Sequence, residues 1–143
     1  MSEPKAYRVS FGRKILRNII KYLFLPIMFL LFKIDIVGRE HIPPRGEGYL
    51  IAFNHVSLLE PPFLLAFWPH LPEAVAGHIV WERGMQGWLM AIYGAIPVHR
   101  GEFDRQVLQT IQDVVRSGFA LAIAPECGRS HQSGMIRAKA GIA

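Results

Sequence analysis

Cysteine is nearly absent from this sequence of 143 residues, in which Cys127 is the single example. An intrachain disulfide framework is therefore excluded, and the chain suits a reducing compartment. The six histidines lack the His-Glu-x-x-His spacing that places two metal ligands on one helical face, which disfavours a metal hydrolase. We expect no metal and no other cofactor. No internal repeat or low-complexity segment is present, and the length fits one domain with its own core.

Basic residues are not in excess over most of the chain, because the net charge of +5 comes entirely from the first 21 residues. That segment has six basic residues and one acidic residue, whereas the remainder has ten of each. The six are Lys5, Arg8, Arg13, Lys14, Arg17 and Lys21. A nucleic-acid-binding protein usually spreads basic residues over its binding face, so we expect no nucleic-acid partner.

These charges border an apolar run, residues 22–32, which contains Pro26. The run is shorter than the roughly 20 apolar residues that a membrane-spanning helix needs. Basic side chains beside such a run can contact anionic lipid headgroups while the apolar side chains enter the acyl boundary. Residues 1–33 are therefore predicted to be a membrane-associated helical segment at the cytoplasmic face. The alternatives are a spanning helix and a helix packed on the core of the domain, and the basic flank argues against core packing.

Strand and helix patterns alternate through residues 34–143. The candidate strands are 34–37, 49–53, 74–80, 95–98 and 119–124, and the candidate helices are 61–68, 84–93 and 103–117. This alternation predicts an α/β domain with a largely parallel central sheet flanked by helices. Ligands of such sheets bind beyond the carboxyl ends of the strands. Three candidate strands end in polar clusters there, at residues 55–60, 99–101 and 126–130.

The first cluster, Asn54-His55-x4-Glu60 followed by two prolines, is the most informative. On one continuous helix an offset of five residues would place the two side chains about 140° apart. Pro61 and Pro62 favour a chain reversal before a new helix, which would let the carboxylate fold back onto the imidazole. Such a pair can take a proton from a hydroxyl. The same sequence is also compatible with a non-catalytic pair, in which Glu60 caps a helix and His55 is an ordinary core or surface residue.

The other two clusters carry groups suited to a phosphate. Arg100 has the forked donors that bind phosphate oxygens, and it stands next to a glycine. The third cluster combines Glu126, Gly128, Arg129 and Ser130. Either cluster could also be an ordinary solvent-exposed loop with no binding role.

Together the three blocks resemble the glycerolipid acyltransferases of the lysophosphatidic-acid (1-acylglycerol-3-phosphate) acyltransferase type. The first cluster resembles the family's Asn-His-x4-Asp block, residues 94–100 resemble its block ending in arginine, and residues 124–130 are similar to its Phe-Pro-Glu-Gly-Thr-Arg-Ser block. The chain departs from that pattern at Glu60 in place of aspartate, at Ala124 in place of phenylalanine, and at Cys127-Gly128 in place of Gly-Thr. The family's fourth block would fall beyond the last residue, so a C-terminally truncated domain is expected.

The resemblance implies a membrane-associated enzyme of phospholipid biosynthesis. Its partners would be an acyl donor, either acyl-CoA or acyl carrier protein, a lysophospholipid acceptor such as 1-acylglycerol-3-phosphate, and an anionic membrane surface. It implies His55 as general base and Glu60 as the carboxylate that orients it. The implied acceptor-binding residues are Arg100, Glu126, Gly128 and Arg129. Ser57 and backbone amides near it are candidates for stabilising the oxyanion.

Three alternatives stay open on the sequence alone. The departures from the family pattern are compatible with an acyltransferase that uses a different lipid acceptor. A non-catalytic membrane lipid-binding protein would explain Glu60 as a sign of lost activity. A thiolate at Cys127, activated by a nearby histidine, would act through an acyl-cysteine.

Overall fold

The computed structural model describes residues 6–55, 57–99, 101–102 and 104–126. Its α-helices are α1 (Phe11–Leu31), α2 (Glu60–Phe67), α3 (Gly84–Tyr93) and α4 (Arg105–Arg116). Its strands are β1 (Tyr49–Ala52), β2 (Glu73–Gly77), β3 (Ile96–Val98) and β4 (Ala120–Ile123). Two short 3-10 helices occupy Arg39–His41 and His78–Glu82.

The four strands form one sheet in the order β1-β4-β2-β3, and every neighbouring pair is parallel. This confirms the predicted α/β domain with a parallel sheet. β4 pairs on one side with β1, where Tyr49 lies opposite Ala120, and on the other side with β2, where Glu73 lies opposite Leu121. Because all strands run the same way, the residues that follow them share one edge of the sheet.

Apolar side chains cover both faces of the sheet, as a fully parallel sheet requires. Successive residues of β4 point to opposite faces. Ala122 belongs to a cluster that packs against Leu64 of α2. Leu121 belongs to a second cluster with Val114 of α4, in which both side chains are fully buried. The apolar residues that recur at helical spacing in the predicted helix 103–117 are thus the ones that α4 packs onto the sheet.

The strand predicted over residues 34–37 is wrong. These residues have no regular secondary structure, and Val37 is 88% exposed. Alternating apolar and polar residues form a strand only where a neighbouring strand can pair with them, and in the described part of the chain β1 pairs with β4 alone.

One face of α1 packs on the domain, which corrects the expectation that the basic flank would prevent core packing. Near its C-terminal end, Phe29 contacts Phe67 of α2 edge to face, with ring centroids 5.3 Å apart. Lys21 donates a hydrogen bond to the carbonyl of Trp68 at 2.7 Å. Burial and the nearby Arg39 lower the pKa of Lys21. The Lys21 side chain is therefore partly buried and bonded to the domain.

A buried ionic cluster attaches α1 to the first residue of β2. The Arg17 guanidinium donates to both carboxylate oxygens of Glu73, at 2.5 and 2.8 Å, and its Nε donates to the carbonyl of Tyr93 at 2.7 Å. The Tyr7 hydroxyl donates to Glu73 Oε2 at 2.7 Å. Burial and this hydrogen bond raise the pKa of Tyr7 to about 12. Arg17 is 2% exposed and Glu73 is fully buried, so each charge depends on the other.

The opposite face of α1, here called the outer face, is apolar and exposed. Large side chains recur on it every three or four residues, from the first turn of the helix to the last. They are Phe11, Ile15, Ile19, Leu23, Ile27 and Leu30. Among the helices of the described residues, none is both long and apolar enough to cross a membrane.

Candidate functional site

His55 and Glu60 meet at the carboxyl end of β1. The strand ends at Ala52, and the chain then delivers His55, whose ring contacts Phe53 edge to face with centroids 6.0 Å apart. The imidazole Nδ1 lies 2.8 Å from Glu60 Oε2. A carboxylate can only accept, so Nδ1 carries a hydrogen, and in the neutral imidazole Nε2 then keeps its lone pair. Both side chains are about one fifth exposed, which leaves them accessible to a ligand.

The reversal predicted from the two prolines is present, and it explains how a glutamate reaches the imidazole. Residues 57–59 bend, and Glu60 is the first residue of α2. Pro61 and Pro62 follow in the first turn of the helix, where a missing N–H costs no hydrogen bond. The backbone N–H of Ser57 donates to both carboxylate oxygens of Glu60, at 2.8 and 3.0 Å. The carboxylate is therefore held from two sides.

The hydrogen bonds of Ser57 also bear on the oxyanion role that the sequence suggested for it. Its backbone N–H is directed at the Glu60 carboxylate. Its side-chain Oγ accepts from the N–H of Leu59 at 2.9 Å. Both groups thus stabilise the turn, and the oxyanion role of Ser57 stays a prediction.

Of the remaining predicted site residues, the structure describes only Glu126. Glu126 lies just after β4, the neighbour of β1, and is buried. The cluster that begins at His99 follows β3, which is three strand spacings from β1, or about 14 Å. Arg100, Gly128 and Arg129 lie outside the described residues, as do Cys127 and Ser130.

Sequence reasoning missed one pair of side chains at this edge. His78 and His99 follow β2 and β3, and their rings stack with centroids 4.4 Å apart. They are 21 positions apart in the sequence, so only the pairing of β2 with β3 brings them together. His99 follows a strand predicted from the sequence, whereas the strand predicted over residues 74–80 ran through His78, and the structure ends β2 at Gly77.

The fold and this edge define a class of protein: an α/β domain in which a histidine and a carboxylate pair at the carboxyl end of a parallel strand. That arrangement suits proton transfer to or from a bound hydroxyl. A family model described as Acyltransferase matches residues 33–143. The chain therefore belongs to the acyltransferase family, and the resemblance seen in the three sequence blocks is confirmed at this level. Comparisons with curated proteins and with solved structures found no match.

Proposed function

We propose that the protein transfers a fatty acyl group from the thioester of acyl-CoA or acyl carrier protein to a hydroxyl of a lysophospholipid, such as 1-acylglycerol-3-phosphate. His55 is the general base and Glu60 orients it. The observation that carries the proposal is the 2.8 Å contact between His55 Nδ1 and Glu60 Oε2, in a chain of the acyltransferase family. The thioester is itself the activated group, so the reaction needs no cofactor.

The reaction follows from which ring nitrogen is free. Nε2 of His55 takes the proton of the acceptor hydroxyl while the oxygen attacks the thioester carbonyl. The carbon–oxygen bond forms and the carbon–sulfur bond breaks, and the imidazolium then returns the proton to the departing thiolate. Glu60 stabilises the imidazolium, as the carboxylate of a serine-protease triad does. The acceptor hydroxyl is the nucleophile, so no acyl-enzyme forms.

The acceptor-binding residues in this proposal are Arg100, Glu126, Gly128 and Arg129. Two guanidinium groups suit the phosphate of the acceptor because their donors match its oxygens in pairs. The position of Glu126, after the strand next to β1, supports a pocket that begins beside His55. Arg100 follows His99 in the sequence, and β3 lies three strand spacings from β1, or about 14 Å, so in this proposal the acceptor lies along the edge of the sheet.

The proposed function is tested by measuring thiol release from acyl-CoA and from acyl carrier protein, with and without acceptor. We expect release to require a lysolipid and to be about tenfold or more faster with 1-acylglycerol-3-phosphate than with monoacylglycerol. Charge-assisted hydrogen bonds of about 1.5–3 kcal/mol account for such a ratio. Cys127→Ala should keep the activity, because the thiol takes no part. Absence of acceptor-dependent release from either donor would instead favour a lipid-binding protein.

We also propose that the outer face of α1 lies in a membrane interface at the cytoplasmic face. Its exposed apolar side chains support this, as do the exposed cations Arg8 and Lys14, which are close to them in the sequence. Arg17 is buried in its pair with Glu73, and Lys21 is partly buried with a hydrogen bond to the domain, so neither is counted among the exposed cations. Attachment suits the reaction, since both the acceptor and the product are lipids.

Flotation with lipid vesicles tests this attachment. Replacing Arg8 and Lys14 with glutamine should weaken binding to anionic vesicles by about 25-fold, because each basic residue near the surface contributes about 1 kcal/mol. Raising the salt concentration should mimic part of the loss. Arg116→Gln is the matched control, since Arg116 is an exposed cation at the end of α4. Equal binding by the double variant and the wild type would contradict the proposal.

A further inference from the structure

His78 and His99 lie side by side at the ends of two adjacent strands. β2 and β3 are parallel, and their register places Gly77 opposite Val98. The next residue on each strand is a histidine, so the two side chains begin from neighbouring backbone positions. Their ring planes differ by 22°, and the centroids are 4.4 Å apart. Trp81 lies nearly parallel to the His78 ring at 6.3 Å, which further limits where that ring can go.

Both imidazoles are open to a ligand. Each residue is exposed, in contrast to His55, which is half-buried against Phe53. Within residues 6–55, 57–99, 101–102 and 104–126, no hydrogen bond or ion pair engages either ring, whereas His41 and His55 each have a carboxylate partner. The nitrogens of this pair are thus available to a species from solution.

We propose that His78 and His99 form a two-histidine site for a divalent transition-metal ion of the kind that prefers imidazole, such as Zn²⁺, Ni²⁺ or Cu²⁺. Zinc–nitrogen bonds of about 2.0–2.1 Å in tetrahedral geometry place two ligand nitrogens about 3.3 Å apart. In the stacked arrangement the nitrogen lone pairs lie in nearly parallel planes, so a ring must turn about its side-chain bonds before both lone pairs converge on one ion. Both rings are exposed and can make this turn while the strands hold the backbone.

The remaining coordination positions of the ion are open. Among the described residues, no third histidine, cysteine or carboxylate joins the pair. Water or an oxygen of a bound anion therefore completes the coordination shell. His99 directly precedes Arg100, so an ion held here lies beside the proposed phosphate-binding part of the site. A role of the ion in phosphate binding depends on the proposed function, whereas binding of the ion to the two imidazoles does not.

Calorimetric titration of the full chain with Ni²⁺ tests the site without reference to activity. We expect one ion per chain, and about tenfold or more weaker binding in His78→Asn and in His99→Asn. His41→Asn is the matched control, an exposed histidine in another part of the fold, and it should bind as the wild type does. Mg²⁺ prefers oxygen ligands and should not compete. Wild-type affinity in both His78→Asn and His99→Asn would overturn the proposal.

A spectroscopic measurement on the unaltered protein keeps the proposal testable if a variant folds poorly. With one equivalent of Cu²⁺ bound, electron paramagnetic resonance should show hyperfine coupling to two imidazole nitrogens. Either single substitution should reduce this to one. A spectrum of the unaltered chain with oxygen ligands only would contradict the site, even where the calorimetric titration detects binding.

Discussion

Replacing His55 with alanine is expected to lower acceptor-dependent acyl transfer by about 10²- to 10⁴-fold, the usual contribution of a general base. The variant removes the nitrogen that takes the hydroxyl proton and leaves the strands, α2 and the acceptor loops in place. The measurement is kcat/KM from thiol release, alongside the melting temperature. The side chain is 22% exposed, so we expect the fold to persist. Wild-type turnover by a folded His55→Ala protein would refute the assignment of this histidine.

Two substitutions at Glu60 separate its orienting role from a structural one. Glu60→Gln keeps the size of the side chain and removes the charge that stabilises the imidazolium, so kcat should fall. Glu60→Asp restores the charge with a shorter reach and should recover much of the lost activity. Equal kcat in Glu60→Gln and the wild type would mean that the 2.8 Å contact with His55 only holds the turn between β1 and α2.

Local patterns were enough to predict the four strands of the sheet and the contact of His55 with Glu60, although they also predicted a strand at residues 34–37 that is not there. Continuous apolar runs such as residues 119–124 predict strands buried on both faces, and the structure places β4 at Ala120–Ile123 between β1 and β2. The two prolines after Glu60 predict a reversal because their effect on the backbone is local. The contact of Glu60 with His55 spans five positions, and turn chemistry alone determines it.

Contacts between residues far apart in the sequence could not be predicted from local patterns. The pairing of His78 with His99 depends on the register of β2 against β3, and no local pattern fixes that register. Arg17 was grouped with the lipid-facing cations because its neighbours in sequence are basic. Its partner Glu73 is 56 positions away. A usable signal was present, since Glu73 opens an apolar strand and a buried carboxylate requires a cation.

The Arg17–Glu73 pair joins α1 to a domain whose family match begins only at residue 33. Arg17→Met is expected to lower the free energy of unfolding by about 3–5 kcal/mol, because it leaves the Glu73 carboxylate charged, buried and without its cation. Urea unfolding measures the loss. Lys14→Met on the same helix is the control, and being exposed it should change stability by about 0.5 kcal/mol or less. A loss below about 1 kcal/mol in Arg17→Met would contradict the role of the cluster.

The double variant Arg17→Met/Glu73→Met distinguishes a buried charge from a packing defect. Replacing both partners of a buried ion pair by apolar residues is often nearly neutral, so the double variant should be more stable than Arg17→Met. The double variant should still be less stable than the wild type, because the Tyr7 hydroxyl and the Tyr93 carbonyl each lose a hydrogen-bond partner. If the double variant instead loses the sum of the stabilities lost by Arg17→Met and Glu73→Met, the destabilisation comes from packing and not from an unpaired charge. The same coupling means that deleting residues 1–33 tests folding and membrane binding at once, because α1 cannot leave the domain without exposing Glu73.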